Sequence, residues 1–174
     1  LLDAIRSNDT AKSLLDGIPG AQWLQMSLNK MSELIQNING IRLHLKAMER
    51  TTKRLIERMD QYFHQNRGDP AKLHELLQTI LGANETFQNT SRAFADTETL
   101  LGAVSIVLQN CNKTVAQTSD IPLLGTLTKP LKDQLDGILQ GVQMAKAIFK
   151  AGQQSVRRTQ LEIDEVQLLL VSAF

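Results

Sequence analysis

Aromatic residues, cysteines and long apolar runs are all scarce in this chain of 174 residues. Only 4% of the residues are Phe, Trp or Tyr, so a core has to be built from aliphatic side chains, which suits helix packing better than a sheet sandwich. A single cysteine, Cys111, excludes an internal disulfide. The longest apolar run, residues 168–171, is far shorter than the roughly 18 residues that a membrane-spanning helix needs. We therefore expect a soluble domain without disulfides.

Motifs that carry catalysis or bind cofactors are also missing. The three histidines, His44, His64 and His74, are not spaced as a metal pair on one helical face, and no glycine-rich loop follows a strand pattern. A hydrophobic content of 42% and a charged content of 21% are those of an ordinary globular protein. The net charge of +1 gives no global attraction to nucleic acid. The sequence predicts a non-enzymatic protein with no cofactor, no metal, no small-molecule substrate and no nucleic-acid partner.

What the chain does contain is a long heptad repeat in its middle third. Every seventh position carries an apolar residue, in a row formed by Leu73, Ile80, Phe87, Phe94, Leu101, Leu108 and Val115. Three residues after each of the first six comes a second row of mostly small or apolar residues: Leu76, Ala83, Thr90, Thr97, Val104 and Cys111. A 3-4 pattern of this length is typical of one helix packed along its whole length against others. It predicts a helix over residues 71–116.

Turn signals divide the remaining residues into three more helices. Gly17 and the Ile18-Pro19-Gly20 turn end a short helix over residues 2–15, and a second helix covers 21–65. Between it and the heptad helix, Gly68, Asp69 and Pro70 form a stop, an N-cap and a first helical position. The last helix starts near Pro130. The fold class is therefore all-α: an elongated antiparallel bundle of three long helices plus a short N-terminal helix, forming one domain over residues 1–174.

The second and last helices also carry predicted core rows. In the second helix the row is Leu24, Leu28, Met31, Ile35 and Ile38, then, after a one-residue shift at Gly40, Ile41, Leu45, Met48, Ile56, Met59 and Phe63. In the last helix it is Leu131, Leu135, Ile138, Val142, Ala145, Phe149, Val156, Ile163, Val166 and Leu170. Several apolar residues fall off these rows: Leu34, Leu43, Leu55, Ile106, Val107, Leu139, Ile148 and Leu161. This surplus predicts an apolar stripe that binds another helical protein or a second copy of the chain.

Basic residues form two clusters. The first consists of Arg42, Lys46, Arg50, Lys53, Arg54 and Arg58. With Glu49 and Glu57 in the same segment, its local net charge is +4. The second, also +4, consists of Lys146, Lys150, Arg157 and Arg158. Because the whole chain has a net charge of +1, the rest of it carries −7. We expect an electrically polar molecule whose basic face meets anionic lipid or an acidic protein partner, unless these are only solvated faces.

Four N-x-S/T triplets, at Asn8, Asn84, Asn89 and Asn112, raise a different hypothesis. Nine asparagines in this composition produce one or two such triplets by chance, so four are consistent with a secreted or surface glycoprotein built on a helical scaffold. The lack of disulfides favours the cytoplasm instead. The sequence leaves both compartments open, and the glycoprotein hypothesis requires these asparagines to be exposed.

Two Ile-Pro turns, each of which leads into a long Leu/Ile-rich helix, carry a resemblance to a known family. The segments are Ile18-Pro19-Gly20-Ala21 and Ile121-Pro122-Leu123-Leu124-Gly125. In these turns and in its number of helices the chain resembles the HeLo and mixed-lineage-kinase-like N-terminal domains of fungal and plant cell-death proteins. The resemblance implies a regulated, oligomerising four-helix bundle whose basic face engages anionic membranes. The leading hypothesis is a non-enzymatic interaction or oligomerisation module; the alternative is a membrane-active bundle.

Overall fold

A computed structural model describes residues 21–119 and 125–172, and 97% of these residues are helical. The helices are α1, Ala21–Gln65; α2, Pro70–Ser119; and α3, Gly125–Ser172. No strand occurs in the two described ranges. The all-helical class and the three long helices are thus confirmed. The predicted short helix over residues 2–15 lies outside the described residues, as do Asn8 and the side chains of Leu24 and Leu28.

The turn between α1 and α2 has the predicted capping residues. Gly68 has a φ of +89°, a conformation that glycine adopts without strain. The Asp69 carboxylate accepts a hydrogen bond of 2.9 Å from the Ala71 backbone N–H, which is the bond expected of an N-cap. Pro70 is the first residue of α2, where its missing N–H costs no hydrogen bond. The turn is therefore built by local chemistry that can be identified in the sequence.

Both heptad rows of α2 are buried, as predicted. In the first row only Leu73 is partly exposed, and every residue of the second row is buried. Even the two threonines of the second row are fully buried, because each hydroxyl donates to a backbone carbonyl four residues earlier: Thr90 to Thr86 and Thr97 to Ala93. The seven-residue spacing thus identified the core face of this helix correctly.

The core row predicted for α1 is partly wrong. Ile35, Ile56 and Phe63 are exposed by 52%, 61% and 43%, although the prediction placed them in the core. The buried or half-buried row is instead Leu34, Ile41, Met48, Leu55 and Tyr62. These residues are spaced by seven throughout, so an uninterrupted helix can present them to one neighbour without the shift at Gly40 that the prediction needed. Leu34 and Leu55, predicted to be surplus, are therefore core residues.

Helix α3 begins five residues earlier than predicted. It starts at Gly125, and Pro130 lies inside it. Proline at this position removes only the hydrogen bond to the carbonyl of residue 126, close to the helix end, where the loss is least disruptive. The predicted core row of α3 is confirmed: Leu135, Val142, Val156, Ile163 and Leu170 are buried and the other five positions are half-buried.

Contacts divide the chain into two compact units. The second unit comprises Asn37–Thr97 and Phe149–Phe174, and the first comprises the other residues. All three helices contribute to the core of the second unit, which consists of Ile41, Leu55, Tyr62, Leu76, Ile80, Ala83, Phe87, Phe94, Val156, Ile163 and Leu170. Within this unit Asn84 of α2 contacts Asp164, whereas Phe94 stacks on Phe149 at 5.7 Å between ring centroids. This reversed order shows that α2 and α3 are antiparallel there.

The first unit has its own buried residues. On α2 they include Leu101, Val104, Leu108 and Cys111, and on α3 Leu135 and Val142. Val107, predicted to be surplus, is also buried here, whereas Ile106 is exposed by 61%. Adjacent positions on a helix differ by about 100° in direction, so only one of this apolar pair can face the core.

Candidate interaction surfaces

No catalytic constellation occurs among the described residues. They contain no group of three or more His, Cys, Asp or Glu side chains that could hold a metal ion. Burial raises the pKa of the Cys111 thiol, which makes it a poorer nucleophile than a free cysteine. The exposed surfaces of the described helices offer more to argue from.

One row of exposed apolar residues lies on α1. We call it the α1 outer row: Ile38, Leu45, Ile56 and Phe63, each between 40% and 61% exposed. A shallow cavity of about 540 Å³ lies along its middle, against Leu45, Met48, Thr52 and Ile56. The sequence-based prediction assigned these row residues to the core. The signal that could have revealed them is the number of apolar residues beside the buried row, because one helix face cannot bury all of them against the same neighbour.

A smaller apolar groove adjoins this row between α1 and α3. It has a volume of about 120 Å³ and lies between Leu55 and Met59 of α1 and Ile163 and Val166 of α3, with Ile80 of α2 at its floor. Met59 is half-buried and follows Ile56 by three residues, so the groove is continuous with the α1 outer row. The apolar surface of α1 is therefore wider than a single line of side chains.

Helix α3 adds exposed apolar residues in the second unit. Leu161, Leu168, Leu169 and Val171 are each exposed by 58% or more. Leu161 was predicted to be surplus and is exposed, as is Leu43 on α1. Leu168, Leu169 and Val171 were missed, although four consecutive apolar residues at 168–171 cannot all face one core in a helix, and only Leu170 does.

All ten basic residues of the two predicted clusters are exposed. Within the described residues only one of them, Arg58, forms an ion pair, at 3.1 Å from the Glu75 carboxylate. Lys72 also binds Glu75, at 2.9 Å, and its hydrogen bond is the main reason that the pKa of this carboxyl is lowered, with Arg58 a weaker cause. The remaining nine cations are therefore available to an anionic partner.

In the second unit, two cations of the α3 cluster lie on the side of α3 that flanks α2. Asp164 of α3 accepts a hydrogen bond of 2.6 Å from the Asn84 amide of α2, so this row of α3 flanks α2. Arg157 and Lys150 precede Asp164 by seven and fourteen residues and lie on the same row. The groove side of α3, which faces α1, carries Thr159 and Val166 instead. Lys150 and Arg157 thus lie away from the groove between α1 and α3.

The two units differ little in net charge. The second unit contains twelve basic and ten acidic residues, a net charge of +2, and the rest of the chain contains seven basic and eight acidic residues, a net of −1. The acids that balance the clusters lie largely in the same unit, for example Asp60, Glu75 and Glu162. The basic character is therefore local to individual helix faces.

Two of the three described sequon asparagines lie at contacts between α2 and α3. Asn84 donates from Nδ2 to Asp164 and to Gln167, and Asn112 donates from Nδ2 to Asp136. The Oδ1 atoms of both asparagines are buried. Since Nδ2 is the atom that an N-glycan would modify, these contacts count against the glycoprotein hypothesis at both residues. Only Asn89 is exposed.

Comparisons with known proteins found no protein family, curated protein or solved structure that matches this chain. The functional argument therefore rests on the surfaces of the molecule itself.

Proposed function

We propose that this protein is a non-enzymatic helical interaction module that binds a protein partner through the α1 outer row. The observation that carries the proposal is that four large apolar side chains, Ile38, Leu45, Ile56 and Phe63, are exposed along one face of α1 while a neighbouring row of the same helix is already buried. Single exposed apolar residues are common on soluble proteins, but several aligned on one face mark a binding site more often, even with polar residues between them. A cytoplasmic setting suits a chain whose only cysteine is a buried thiol.

The energy available from this row is moderate. Burying a fully exposed Leu, Ile or Phe side chain contributes roughly 1.5–3 kcal/mol. The four row residues are about half exposed, so complete burial would contribute on the order of 4 kcal/mol. Because association itself costs about 4 kcal/mol or more, the row needs polar contacts or a wider footprint to give micromolar binding. A reversible, regulated interaction fits these magnitudes better than a permanent one.

The test compares two apolar-to-acid variants of α1. Leu45→Glu/Ile56→Glu alters the outer row, whereas Leu43→Glu introduces a glutamate at a leucine that is 69% exposed on another face of the same helix. Polypeptides that copurify with the tagged native protein, its own chain included, are quantified by mass spectrometry. We expect at least one to be lost tenfold or more with the row variant and retained with Leu43→Glu. Identical sets for both variants would contradict the proposal.

A second candidate function is engagement of anionic membranes through the α1 basic cluster. Six exposed cations between residues 42 and 58, five of them without an ion pair among the described residues, favour it, as does the resemblance to cell-death bundles. Within the described residues no helix is long and apolar enough to cross a bilayer, so this mode would be interfacial. The adjacent apolar row would then enter the headgroup region.

Vesicle sedimentation distinguishes this candidate from the first. Binding to vesicles with anionic lipid should weaken with added salt and with charge reversal at Arg50, Lys53 and Arg54, because each basic residue near the surface contributes about 1 kcal/mol. Charge reversal at Arg92, on α2, is the control. If the chain binds neither neutral nor anionic vesicles at low salt, the membrane function is ruled out.

A further inference from the structure

We propose that the partner of the α1 outer row is a second copy of this chain, packed with its α1 antiparallel to the first about a twofold axis between residues 50 and 51. This inference rests on the proposed interaction function and names its partner. Its grounds are the spacing of the row, the charges that flank it and the size of the contact.

The spacing of the row is the same when read in either direction. Together with the polar positions between them, the row residues form a 4-3 ladder: Ile38, Arg42, Leu45, Glu49, Thr52, Ile56, Met59 and Phe63. In an antiparallel pair centred between residues 50 and 51, Ile38 meets Phe63 of the second copy and Leu45 meets Ile56. Glu49 meets Thr52 near the axis. Every exposed apolar side chain of the row thus meets another, which is the self-complementarity that a twofold interface requires.

Charge selects the antiparallel orientation. A parallel, in-register pair would place Arg42 against Arg42 and Glu49 against Glu49 at ladder positions, where like charges are destabilising. In the antiparallel pair Arg42 instead faces Met59 and Glu49 faces Thr52, and the residue after each of these, Asp60 and Lys53, brings an opposite charge close to Arg42 and Glu49. Symmetry makes each contact twice.

The size of the contact implies a weak dimer. The ladder spans 25 residue steps, or about 38 Å, and a helix about 10 Å wide gives a footprint of roughly 400 Å² per copy. A standard stable interface buries about 800 Å² per partner. We therefore expect a weak dimer that forms only at high protein concentration, within reach of concentration-dependent measurements.

Sedimentation equilibrium of the purified chain between about 5 µM and 1 mM tests the pair. The wild-type chain should pass from monomer to dimer, and Leu45→Glu/Ile56→Glu should weaken the dimer at least tenfold. Leu43→Glu, off the row, should stay within twofold, and circular dichroism checks that each variant is folded. Asp60→Arg should weaken the dimer about fivefold, and the double variant Arg42→Asp/Asp60→Arg should restore it, because it exchanges the two charges of the proposed contact. A wild-type chain that is monomeric throughout, or a double variant that is not restored, overturns the inference.

Cysteine pairing tests the orientation. In a Cys111→Ala background, mixed Leu45→Cys and Ile56→Cys chains should form the mixed disulfide, whereas Leu45→Cys alone should not pair. In the antiparallel pair, the Cα atoms of residue 45 in the two copies would lie about 16 Å apart along the helix direction. This is beyond the roughly 7 Å limit for a disulfide. Efficient pairing of Leu45→Cys with itself would overturn the antiparallel arrangement.

The outcomes separate this inference from the proposed function. A monomeric chain whose row variant loses a different copurifying protein overturns the second copy as partner and leaves the interaction module standing. A monomeric chain whose row variant loses only vesicle binding overturns both and assigns the row to lipid.

Discussion

Gly152 shows how a single missing side chain positions α3 against α2. A Cβ at residue 152 would lie 2.5 Å from Cε1 of Phe94, whose ring is also held against Phe149. A Cβ at Gly141, also on α3, would meet nothing within 4 Å. The same substitution should therefore have opposite effects at the two positions, because one adds a clash and the other only improves helix propensity.

We expect Gly152→Ala to lower the free energy of unfolding by about 1–3 kcal/mol. Gly141→Ala should raise it by about 0.5–1 kcal/mol. Urea denaturation measures both. Phe94→Leu in the Gly152→Ala background should recover part of the loss, since a smaller side chain gives the new methyl group space. Equal effects at the two glycines would show that Phe94 does not lie over Gly152.

The two phenylalanines of the α2 heptad row should dominate the stability of the second unit. Phe87 and Phe94 are 1% and 7% exposed, so replacing either by Ala should cost roughly 3–5 kcal/mol through lost burial and the cavity left behind. Glu85 and Arg92 are exposed on the same helix and should tolerate Ala within about 0.5 kcal/mol. Denaturant midpoints that move as little for Phe94→Ala as for Arg92→Ala would refute this core face.

The reactivity of the Cys111 thiol tests whether the second heptad row of α2 is buried. It is 2% exposed, so a disulfide reagent should reach it only when the structure opens, and its reaction should be at least about a thousandfold slower than that of free cysteine. Burial raises the pKa of the thiol, so the folded state holds this proton more tightly than the unfolded state. The contribution of this group to stability should therefore fall as pH rises through the unfolded value of about 8.5. Comparing the pH dependence of unfolding with that of Cys111→Ala isolates this contribution, and a thiol that reacts at the free rate would contradict burial.

At the scale of the helices, prediction from sequence succeeded where only one apolar stripe was available. Helix α2 carries two rows at 3-4 spacing and mostly polar residues elsewhere, and both rows are in the core. Helix α1 carries two adjacent apolar rows, one through Leu34 and Leu55 and one through Ile38 and Ile56. Periodicity alone cannot decide which of the two faces the neighbouring helices, because that depends on how those helices are placed. The α1 outer row was missed for this reason.

Contacts between helices are the second feature that the sequence did not reveal. Asn84 and Asp164 are 80 residues apart, and nothing in either segment identifies the partner. Once α2 and α3 are antiparallel, the Asn84 amide reaches both Asp164 and Gln167. The asparagine of a triplet that suggests a glycosylation site thus forms, in the folded chain, hydrogen bonds that fix the register of α2 against α3.

This register contact gives a prediction for α2 and α3. Asn84→Ala removes the donor shared by Asp164 and Gln167 and should lower the free energy of unfolding by about 1–2 kcal/mol. Asn89→Ala, at an exposed position one and a half turns away, should change it by less than about 0.5 kcal/mol. Thermal denaturation of both variants provides the comparison. A loss at Asn89 as large as that at Asn84 would mean that the effect comes from helix propensity and not from the interhelical bond.

For the whole molecule, fold class and surface function differ in how far the sequence determines them. Helix is specified locally, by spacing and by caps such as Asp69, so three helices could be placed to within a few residues, except for the start of α3. The binding face depends on what the three helices leave uncovered. Charge shows the same limit, since the strong clusters counted along the chain are balanced by acids such as Asp60 and Glu162 that lie in the same unit.

The helix content of the whole chain provides the broadest test of the fold. The three helices contain 45, 50 and 48 residues, which is 143 of 174, or about 82% of the chain. Far-UV circular dichroism should therefore report about 80% helix or more, because tertiary packing along both α2 rows keeps such long helices from fraying. Trifluoroethanol serves as an internal control: little further helix can form, so the signal should rise by no more than about a fifth. A helix content near 50% with a large rise in trifluoroethanol, or strand content near the base rate of roughly 20%, would refute the all-helical fold and with it the face on which the α1 outer row lies.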